Sequence, residues 1–188
     1  MTTLRLLPLL AMLLALACKE PCDKTDCGEF SSCSNVDDEA VCICDLGYEK
    51  DDDGKCNVRT TLKFNGDWAV SEVRTDNANQ TKQTLTYDMR LADTDSPITR
   101  MFLTGLGDYR CPDGNPPVVE ATISASSLII DAAAYCPDAV SGFSGYLFER
   151  STGRINTSKD TITLAYRVTW SNPPAQFDFS GALTMVRK

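Results

Sequence analysis

The sequence predicts a mostly β protein in which a small disulfide-rich module precedes an antiparallel β-barrel or β-sandwich of about eight strands. Two observations carry this prediction. Six cysteines are crowded between Cys22 and Cys56, and from Leu62 onward apolar and polar residues alternate with the period of two that is typical of strands. Little of the 188-residue chain has the spacing of an amphipathic helix.

The first 17 residues form a hydrophobic leader. One cation, Arg5, precedes an apolar run from Leu6 to Ala17 that is interrupted only by Pro8. This run is too short to cross a bilayer as a mature helix, and it has the length of a secretory h-region. We therefore expect residues 1–17 to be a signal peptide that takes no part in the fold.

The leader ends directly before a cysteine. Small residues Ala15 and Ala17 flank Leu16, and Cys18 follows. The pattern resembles the lipobox of bacterial lipoproteins, which implies that Cys18 is acylated and becomes the new N-terminus. The alternative is ordinary signal cleavage near Ala17, which would leave Cys18 as an unpaired thiol.

The residues after Cys18 suggest a destination. Lys19 and Glu20, with Asp23 close behind, resemble the short signal that sends Bacteroidetes-type lipoproteins to the outer face of the outer membrane. Acyl chains on Cys18 would anchor the protein without a transmembrane segment, because each buried methylene contributes about 0.8 kcal/mol. The resemblance therefore implies a lipid-anchored protein of the outer membrane or cell surface, with the membrane as a partner.

Cysteine usage indicates an oxidising compartment. Of the nine cysteines, Cys18 is assigned to lipid, six to the module, and Cys111 and Cys136 to one further bridge. Cys111 and Cys136 each begin a Cys-Pro-Asp triplet in loop-like sequence, and a bridge between them would staple two loops at one end of the sheet. Two unpaired thiols are the alternative at these positions.

Residues 18–57 have too few apolar side chains to build a core, so disulfides must hold this module. Spacing alone does not choose the pairing among six cysteines. The spacing and the run from Cys42 to Tyr48 resemble an epidermal-growth-factor-like module, as opposed to a generic disulfide knot. That resemblance implies three bridges, Cys22–Cys33, Cys27–Cys42 and Cys44–Cys56.

No metal site is predicted in the module. The chain contains no histidine and no paired Cys-x2-Cys units, which disfavours zinc. Calcium is not expected either, because counting a helix–loop–helix calcium loop from Glu49 through the acidic run places Thr60 where that loop needs a bidentate glutamate. We instead predict a tight hairpin turn at Asp53-Gly54, with the carboxylates of Asp51 and Asp52 solvated.

Charge divides the chain in two. Residues 18–57 hold four Lys and twelve Asp or Glu, a net charge of −8, whereas residues 58–188 are nearly neutral at −1. Neither region has the basic surface that a phosphate backbone requires, so nucleic acid is not an expected partner. The acidity of the module either keeps it soluble or recognises a basic partner.

Residues 58–188 are predicted to form the β domain. The clearest strands are the alternating segments Leu85–Leu91 and Ile162–Trp170. Eight strands in about 130 residues point to a sandwich or an up-and-down barrel. The weaker strand candidates are Leu62–Arg74, Ile98–Leu103, Val118–Ala125, Ser127–Asp131, Gly145–Arg150 and Phe177–Val186.

One motif favours the barrel. The segment Asn65-Gly66-Asp67-Trp68 resembles the Gly-x-Trp element that opens lipocalins, in which the indole closes the barrel and packs beside a cation of the last strand. Arg187 or Lys188 would supply that cation. The resemblance implies an interior calyx for a small apolar ligand. Against a calyx, bulky side chains such as Tyr166 and Trp170 are large enough to fill a small barrel.

We do not expect an enzyme. Without histidine, the usual nucleophile–base constellations are excluded, and no glycine-rich phosphate loop or dinucleotide fingerprint is present. No catalytic residue, cofactor or metal is therefore predicted. The sequence indicates a non-enzymatic envelope protein whose module is a spacer or interaction unit and whose β domain binds a protein or glycan; the alternative is a lipocalin-like carrier of a small apolar ligand.

Overall fold

The computed structural model describes residues 21–96, 98–138, 142–172 and 175–188. The leader and Cys18 lie outside the described residues. The chain divides into two compact units, with the boundary between Val58 and Arg59, and each is a small β structure. Within the described residues, no helix is both long and apolar enough to span a membrane.

The first unit contains short hairpins. Strands β1 (Ser31–Val36) and β2 (Glu39–Cys44) form one antiparallel pair, and β3 (Tyr48–Lys50) pairs with β4 (Cys56–Arg59). The rings of Phe30 and Tyr48 stack with their centroids 3.9 Å apart.

The turn between β3 and β4 is the predicted hairpin at Asp53-Gly54, where the Gly54 N–H donates to the Asp51 carbonyl over 3.0 Å. One detail of the prediction was wrong. The carboxylate of Asp51 is not merely solvated but accepts the backbone N–H groups of Asp53 and Lys55 at 3.0 and 2.8 Å. Asp51 therefore closes the turn, as short acidic side chains commonly do.

The second unit is a closed antiparallel barrel of eight strands, so the barrel alternative is the one that the structure adopts. Its strands follow one another around the barrel in chain order, and the last pairs with the first, which closes the barrel. The strands are β5 (Gly66–Asp76), β6 (Thr81–Asp93), β7 (Arg100–Thr104), β8 (Val118–Ser124), β9 (Ser127–Ile130), β12 (Ser151–Ile155), β13 (Thr161–Asn172) and β14 (Ala175–Arg187).

Two short strands extend the barrel at one end. Strands β10 (Ala133–Tyr135) and β11 (Tyr146–Phe148) pair with each other, and β11 continues along the same side of β13 that β12 occupies. The chain therefore bends between β9 and β10 and again between β11 and β12. The sequence predicted neither β10 nor β12, because each is short and β12 contains a glycine.

The start of the first predicted barrel strand was placed too early. Residues Thr60–Lys63 form a turn of 3-10 helix, and the strand begins only at Gly66. Phe64, which follows this turn, is fully buried. The residues near Leu62 that suggested a strand therefore belong to a helical turn. Phe64, directly after that turn, packs into the barrel core.

Because β6 is much longer than β7, part of the barrel sheet lacks pairing between strands. Strand β6 pairs with β7 only over Arg90–Asp93, so its first half has a strand partner on one side only, β5. The connection from β7 to β8 passes beside that free side, and a Cβ atom on Gly105 would lie 3.0 Å from the Asp88 carbonyl oxygen. We call Gly105–Tyr109 the plug segment, because it buries Leu106 and Tyr109 in the barrel core.

Candidate functional site

The described residues contain four disulfides. In the first unit Cys22 is bonded to Cys33, Cys27 to Cys42, and Cys44 to Cys56. These are the pairs that the resemblance implied. Their Cα atoms are 5.2 to 5.8 Å apart, which is the ordinary span of a disulfide.

The fourth bridge, Cys111–Cys136, joins the chain just after the plug segment to the end of β10. It therefore staples loop residues at one end of the sheet. Together the four bridges indicate that the protein matures in an oxidising compartment, either extracellular or periplasmic.

Trp68 and Arg187 close the other end of the barrel. The indole is fully buried and donates its Nε1–H to the Phe64 carbonyl over 2.9 Å. The guanidinium carbon of Arg187 lies 4.5 Å from the centre of the indole ring. Arg187 also donates to the backbone carbonyls of Lys63 and Asn65, the latter over 2.7 Å, so it ties the 3-10 turn to the last strand.

Gly66 belongs to the same closure. Its φ is 131°, and a Cβ atom there would lie 3.2 Å from Nη1 of Arg187, so a glycine leaves room for the cation. Of the two cations that the sequence offered, Arg187 takes the position. Lys188 instead contacts the Asp88 carboxylate on the surface, with an N–O distance of 2.6 Å.

A buried polar cluster lies inside the barrel, and the sequence analysis missed it. Glu72 is completely buried, and Arg74 donates to it from Nε over 2.9 Å. The hydroxyl groups of Tyr87 and Tyr166 donate to the two carboxylate oxygens at 2.7 and 2.8 Å. The carboxylate thus has a partner at each oxygen, as a buried charge requires.

The cluster also holds the plug segment. Arg74 donates to the carbonyl of Gly107, and the N–H of Gly107 donates to the Tyr87 hydroxyl over 3.0 Å. Gly107 has a φ of 68°, and a Cβ atom on it would meet the ring of Tyr109 at 2.2 Å. Both backbone polar groups of Gly107 are therefore satisfied by interior side chains, at a position where only glycine fits.

Burial dominates the ionisation of the tyrosines. It raises the pKa of Tyr87 and Tyr166 well above the ordinary value and the pKa of Tyr109 to about 12. Burial is also the largest single influence on Arg74 and disfavours its charged form, but the hydrogen bond to Glu72 and the electrostatic interactions with Tyr109, Tyr166 and Glu72 together outweigh it, so the pKa of Arg74 is raised. All three phenols are therefore neutral hydrogen-bonding groups at neutral pH.

A signal for the cluster was present in the sequence. Trp68, Val70, Glu72 and Arg74 alternate along β5, and all four side chains are buried. Two charged residues continuing an apolar alternation indicate that a carboxylate and a guanidinium point into the same core. The arrangement supports a structural role, because the Glu72 oxygens are occupied by Arg74 and tyrosine hydroxyls rather than directed at open space.

An open groove lies at the stapled end of the barrel. We call it the aromatic groove; it has a volume of about 660 Å³ and lies between the β13–β14 hairpin, the β10–β11 pair and the turn after β5. Its lining includes Trp170 and Phe177, which are paired across β13 and β14, and Ala134 and Leu147, which are paired across β10 and β11. Phe177 is 39% exposed and Leu147 49% exposed, so the groove brings two exposed apolar side chains together in one concavity.

The walls of the groove are joined to the core. Trp170 contacts the edges of Tyr109 and Tyr146 at centroid distances of 5.6 and 5.4 Å. The Tyr146 hydroxyl donates to the Arg110 carbonyl over 2.6 Å, next to the Cys111–Cys136 bridge. The groove therefore has a wall fixed by packing and by a covalent staple.

Charge at the groove is compensated. Asp178 is the one charged residue among the described lining residues. Hydrogen bonds from Arg167, and a further one from Asn77, lower the pKa of Asp178 to about 2. Arg167 donates to Asp178 over 2.7 Å and to Glu149 over 2.9 Å, so its own charge is balanced as well.

Neither a model of a known protein family nor a curated protein matches this chain. In the part of the chain that the structure describes, no three His, Cys, Asp or Glu side chains lie close enough to hold a metal ion. The aromatic groove is thus the candidate functional site on geometric grounds, since it is concave, largely apolar and bordered by a few polar groups.

Proposed function

We propose that this chain is a non-enzymatic, lipid-anchored protein of the cell envelope and that its β domain is a binding head. The observation that carries the proposal is the aromatic groove, where Phe177 and Leu147 expose apolar surface in a concavity of about 660 Å³. Pockets of this size and composition are typical of binding sites for small molecules or for one group of a larger partner.

A non-enzymatic role is supported by the chemistry of the groove and of the barrel interior. The chain has no histidine to act as a general base. The buried carboxylate of Glu72 is engaged by Arg74, Tyr87 and Tyr166, and the Asp178 carboxylate is engaged by Arg167 and Asn77. Neither carboxylate is positioned to exchange a proton with a bound molecule.

The first unit serves as a spacer or interaction unit. Its acidic composition and its three local bridges support the resemblance to epidermal-growth-factor-like modules, which are rigid for their size because disulfides replace a core. On this proposal the unit separates the lipid at Cys18 from the binding head.

Anchoring is tested by metabolic labelling with radioactive palmitate in a Gram-negative host. We expect label in the unaltered chain and none in Cys18→Ala. Protease treatment of intact cells then reports whether the anchored protein faces outward. Equal labelling of both chains, or a mature protein that keeps residues 1–17, contradicts the lipoprotein proposal.

Binding is tested by retention of envelope fractions on the full-length protein. Phe177→Ala and Leu147→Ala remove exposed side chains from the groove, and each is expected to reduce retention at least tenfold because the apolar contact is lost. Val118→Ala is the matched control, since Val118 is also an exposed apolar residue of a strand and does not line the groove. Equal retention by all three variants contradicts the proposed site.

The alternative function is a lipocalin-like carrier, and the closed barrel with Arg187 over Trp68 favours it. A carrier needs interior space, yet Tyr166, Tyr109 and the Glu72–Arg74 pair fill the middle of the barrel. A fluorescent fatty-acid probe separates the two functions. Saturable binding that survives Phe177→Ala favours the carrier, and absence of saturable binding excludes it.

A further inference from the structure

The two aromatic residues that line the aromatic groove, Trp170 and Phe177, belong to a stack of three nearly parallel rings. The ring of Trp170 stacks with Phe177 at a centroid distance of 4.7 Å and an angle of 24°, and with Phe179 at 5.3 Å and 13°. Tyr109 and Tyr146 support Trp170 edge-on from the core side. The ring of Phe177, which is 39% exposed, is therefore held in place by packing, and a ligand would not have to order it.

The groove offers no uncompensated charge to a ligand. Its charged residue, Asp178, already accepts two hydrogen bonds from Arg167 and one from Asn77. An ionic ligand would lose hydration on entering and gain no ion pair from the described lining residues, which costs free energy. The compensation therefore favours an uncharged ligand.

Two polar side chains line the groove. Thr169 is half-buried and Gln176 is exposed, and neither side chain makes a hydrogen bond to a described residue. A hydroxyl and a carboxamide can each donate and accept. Thr169 on β13 and Gln176 on β14 line the same groove as Trp170 and Phe177.

We propose that the ligand of the aromatic groove is an uncharged saccharide, an inference that rests on the groove being the binding site. A sugar ring presents an apolar face of C–H groups, which packs flat on an aromatic ring. Its rim of hydroxyl groups donates and accepts hydrogen bonds. Phe177 with Trp170 provides the first complement, and Thr169 with Gln176 provides the second. The volume of about 660 Å³ lies within the range of small-molecule sites.

Tryptophan fluorescence of the full-length protein reads this binding directly. The chain has two tryptophans, and Trp68 is fully buried under Arg187 at the closed end. A ligand-dependent change therefore reports Trp170. The probes are neutral maltotriose, cellotriose and chitotriose, the anionic trimer of galacturonic acid, and a fluorescent fatty acid.

We expect at least one neutral trisaccharide to change the fluorescence saturably and to bind at least tenfold more tightly than the anionic trimer. Phe177→Ala is expected to weaken that binding at least tenfold, and Thr169→Val at least threefold, whereas Val118→Ala leaves it unchanged. Thr169→Val keeps the shape and strand propensity of the side chain and removes only its hydroxyl, so it isolates the polar contact.

The inference is overturned if no neutral trisaccharide binds, if the anionic trimer binds as tightly, or if Phe177→Ala has no effect on saccharide binding. Saturable binding of the fatty acid alone also overturns it. Retention of envelope fractions distinguishes this failure from a failure of the proposed function. If Phe177→Ala lowers retention but saccharides do not bind, the groove is the site and the ligand class is wrong.

Discussion

The phenol ring of Tyr166 lies across the backbone of Gly181, its cross-strand partner on β14. A Cβ atom on Gly181 would lie 2.4 Å from Cε1 of the tyrosine and 2.8 Å from the carboxylate of Glu72. Real Cβ atoms do not approach so closely. The absence of a side chain at residue 181 is therefore what allows the tyrosine to reach Glu72 inside the barrel.

This contact predicts that Gly181→Ala destabilises the barrel by about 1–3 kcal/mol, because overpacking displaces the ring and its hydrogen bond. Urea unfolding measures the effect. The same substitution in a Tyr166→Ala background is expected to cost far less, since the ring that it would displace is gone. An equal loss of unfolding free energy in both backgrounds would contradict the contact between residue 181 and the Tyr166 ring.

The Glu72–Arg74 pair gives a second prediction. Glu72→Leu leaves the guanidinium buried without its partner and is expected to cost about 3–5 kcal/mol. Adding Arg74→Met should recover part of this loss, because no unpaired charge then remains in the core. A double-mutant cycle by urea unfolding measures the coupling. Additive costs would mean that the two residues act independently.

An exposed ion pair supplies the control for that cycle. Arg90 and Asp67 lie 3.1 Å apart on the surface, with more than half of each side chain exposed. Asp67→Asn is expected to change stability by less than about 1 kcal/mol, because water and salt screen such pairs. A cost equal to that of Glu72→Leu would show that burial is not the cause.

The buried phenols predict alkaline behaviour. The pKa of Tyr109 is raised to about 12, and those of Tyr87 and Tyr166 are raised further. The folded-state pKa exceeds the unfolded value of about 10. The stability that these groups contribute is therefore complete below pH 10 and is lost as the pH rises beyond it.

In an alkaline titration, the absorbance at 295 nm, which measures tyrosine ionisation, should change over the same pH range as the circular dichroism, which measures unfolding. We expect the cluster tyrosines to ionise only as the barrel unfolds, above pH 10. Ionisation of all six tyrosines near pH 10, with unchanged circular dichroism, would contradict the buried cluster.

Sequence reasoning found much of this fold because the long strands alternate without interruption. Ile162–Trp170 shows one polar and one apolar face, and the structure confirms a strand there. Of the short strands, β7, β9 and β11 were predicted, but β10 and β12 were missed because the segments Ala133–Tyr135 and Ser151–Ile155 contain few large apolar residues. Leu62 was misassigned because an apolar residue in a helical turn resembles the start of a strand.

The candidate site was harder to predict. The contact of Trp68 with Arg187, beside Gly66, could be predicted from the sequence because it depends on one short motif and one cation near the end of the chain. The aromatic groove depends on residues as distant as Ala78, Leu147 and Phe177, which only the barrel closure brings together. The Glu72–Arg74 pair is hard to predict because charged residues of a strand are mostly exposed to solvent.

The closed end gives a further prediction with a neighbouring control. Arg187→Met removes the cation over Trp68 and the hydrogen bonds to the 3-10 turn, and is expected to cost about 2–4 kcal/mol. Lys188→Met removes only an exposed contact with Asp88 and should cost less than about 1 kcal/mol. Thermal unfolding measures both. Equal costs would mean that Arg187 does not hold the closure.

Site-specific photocrosslinking in living cells tests the central claim, that the aromatic groove is the binding site, most directly. A benzophenone side chain replaces Leu147 in the groove or Val118 outside it, and mass spectrometry reads the adducts. We predict a discrete adduct at residue 147, suppressed by Phe177→Ala, and none at residue 118. Equal labelling at both positions, or labelling at residue 118 alone, would contradict the claim.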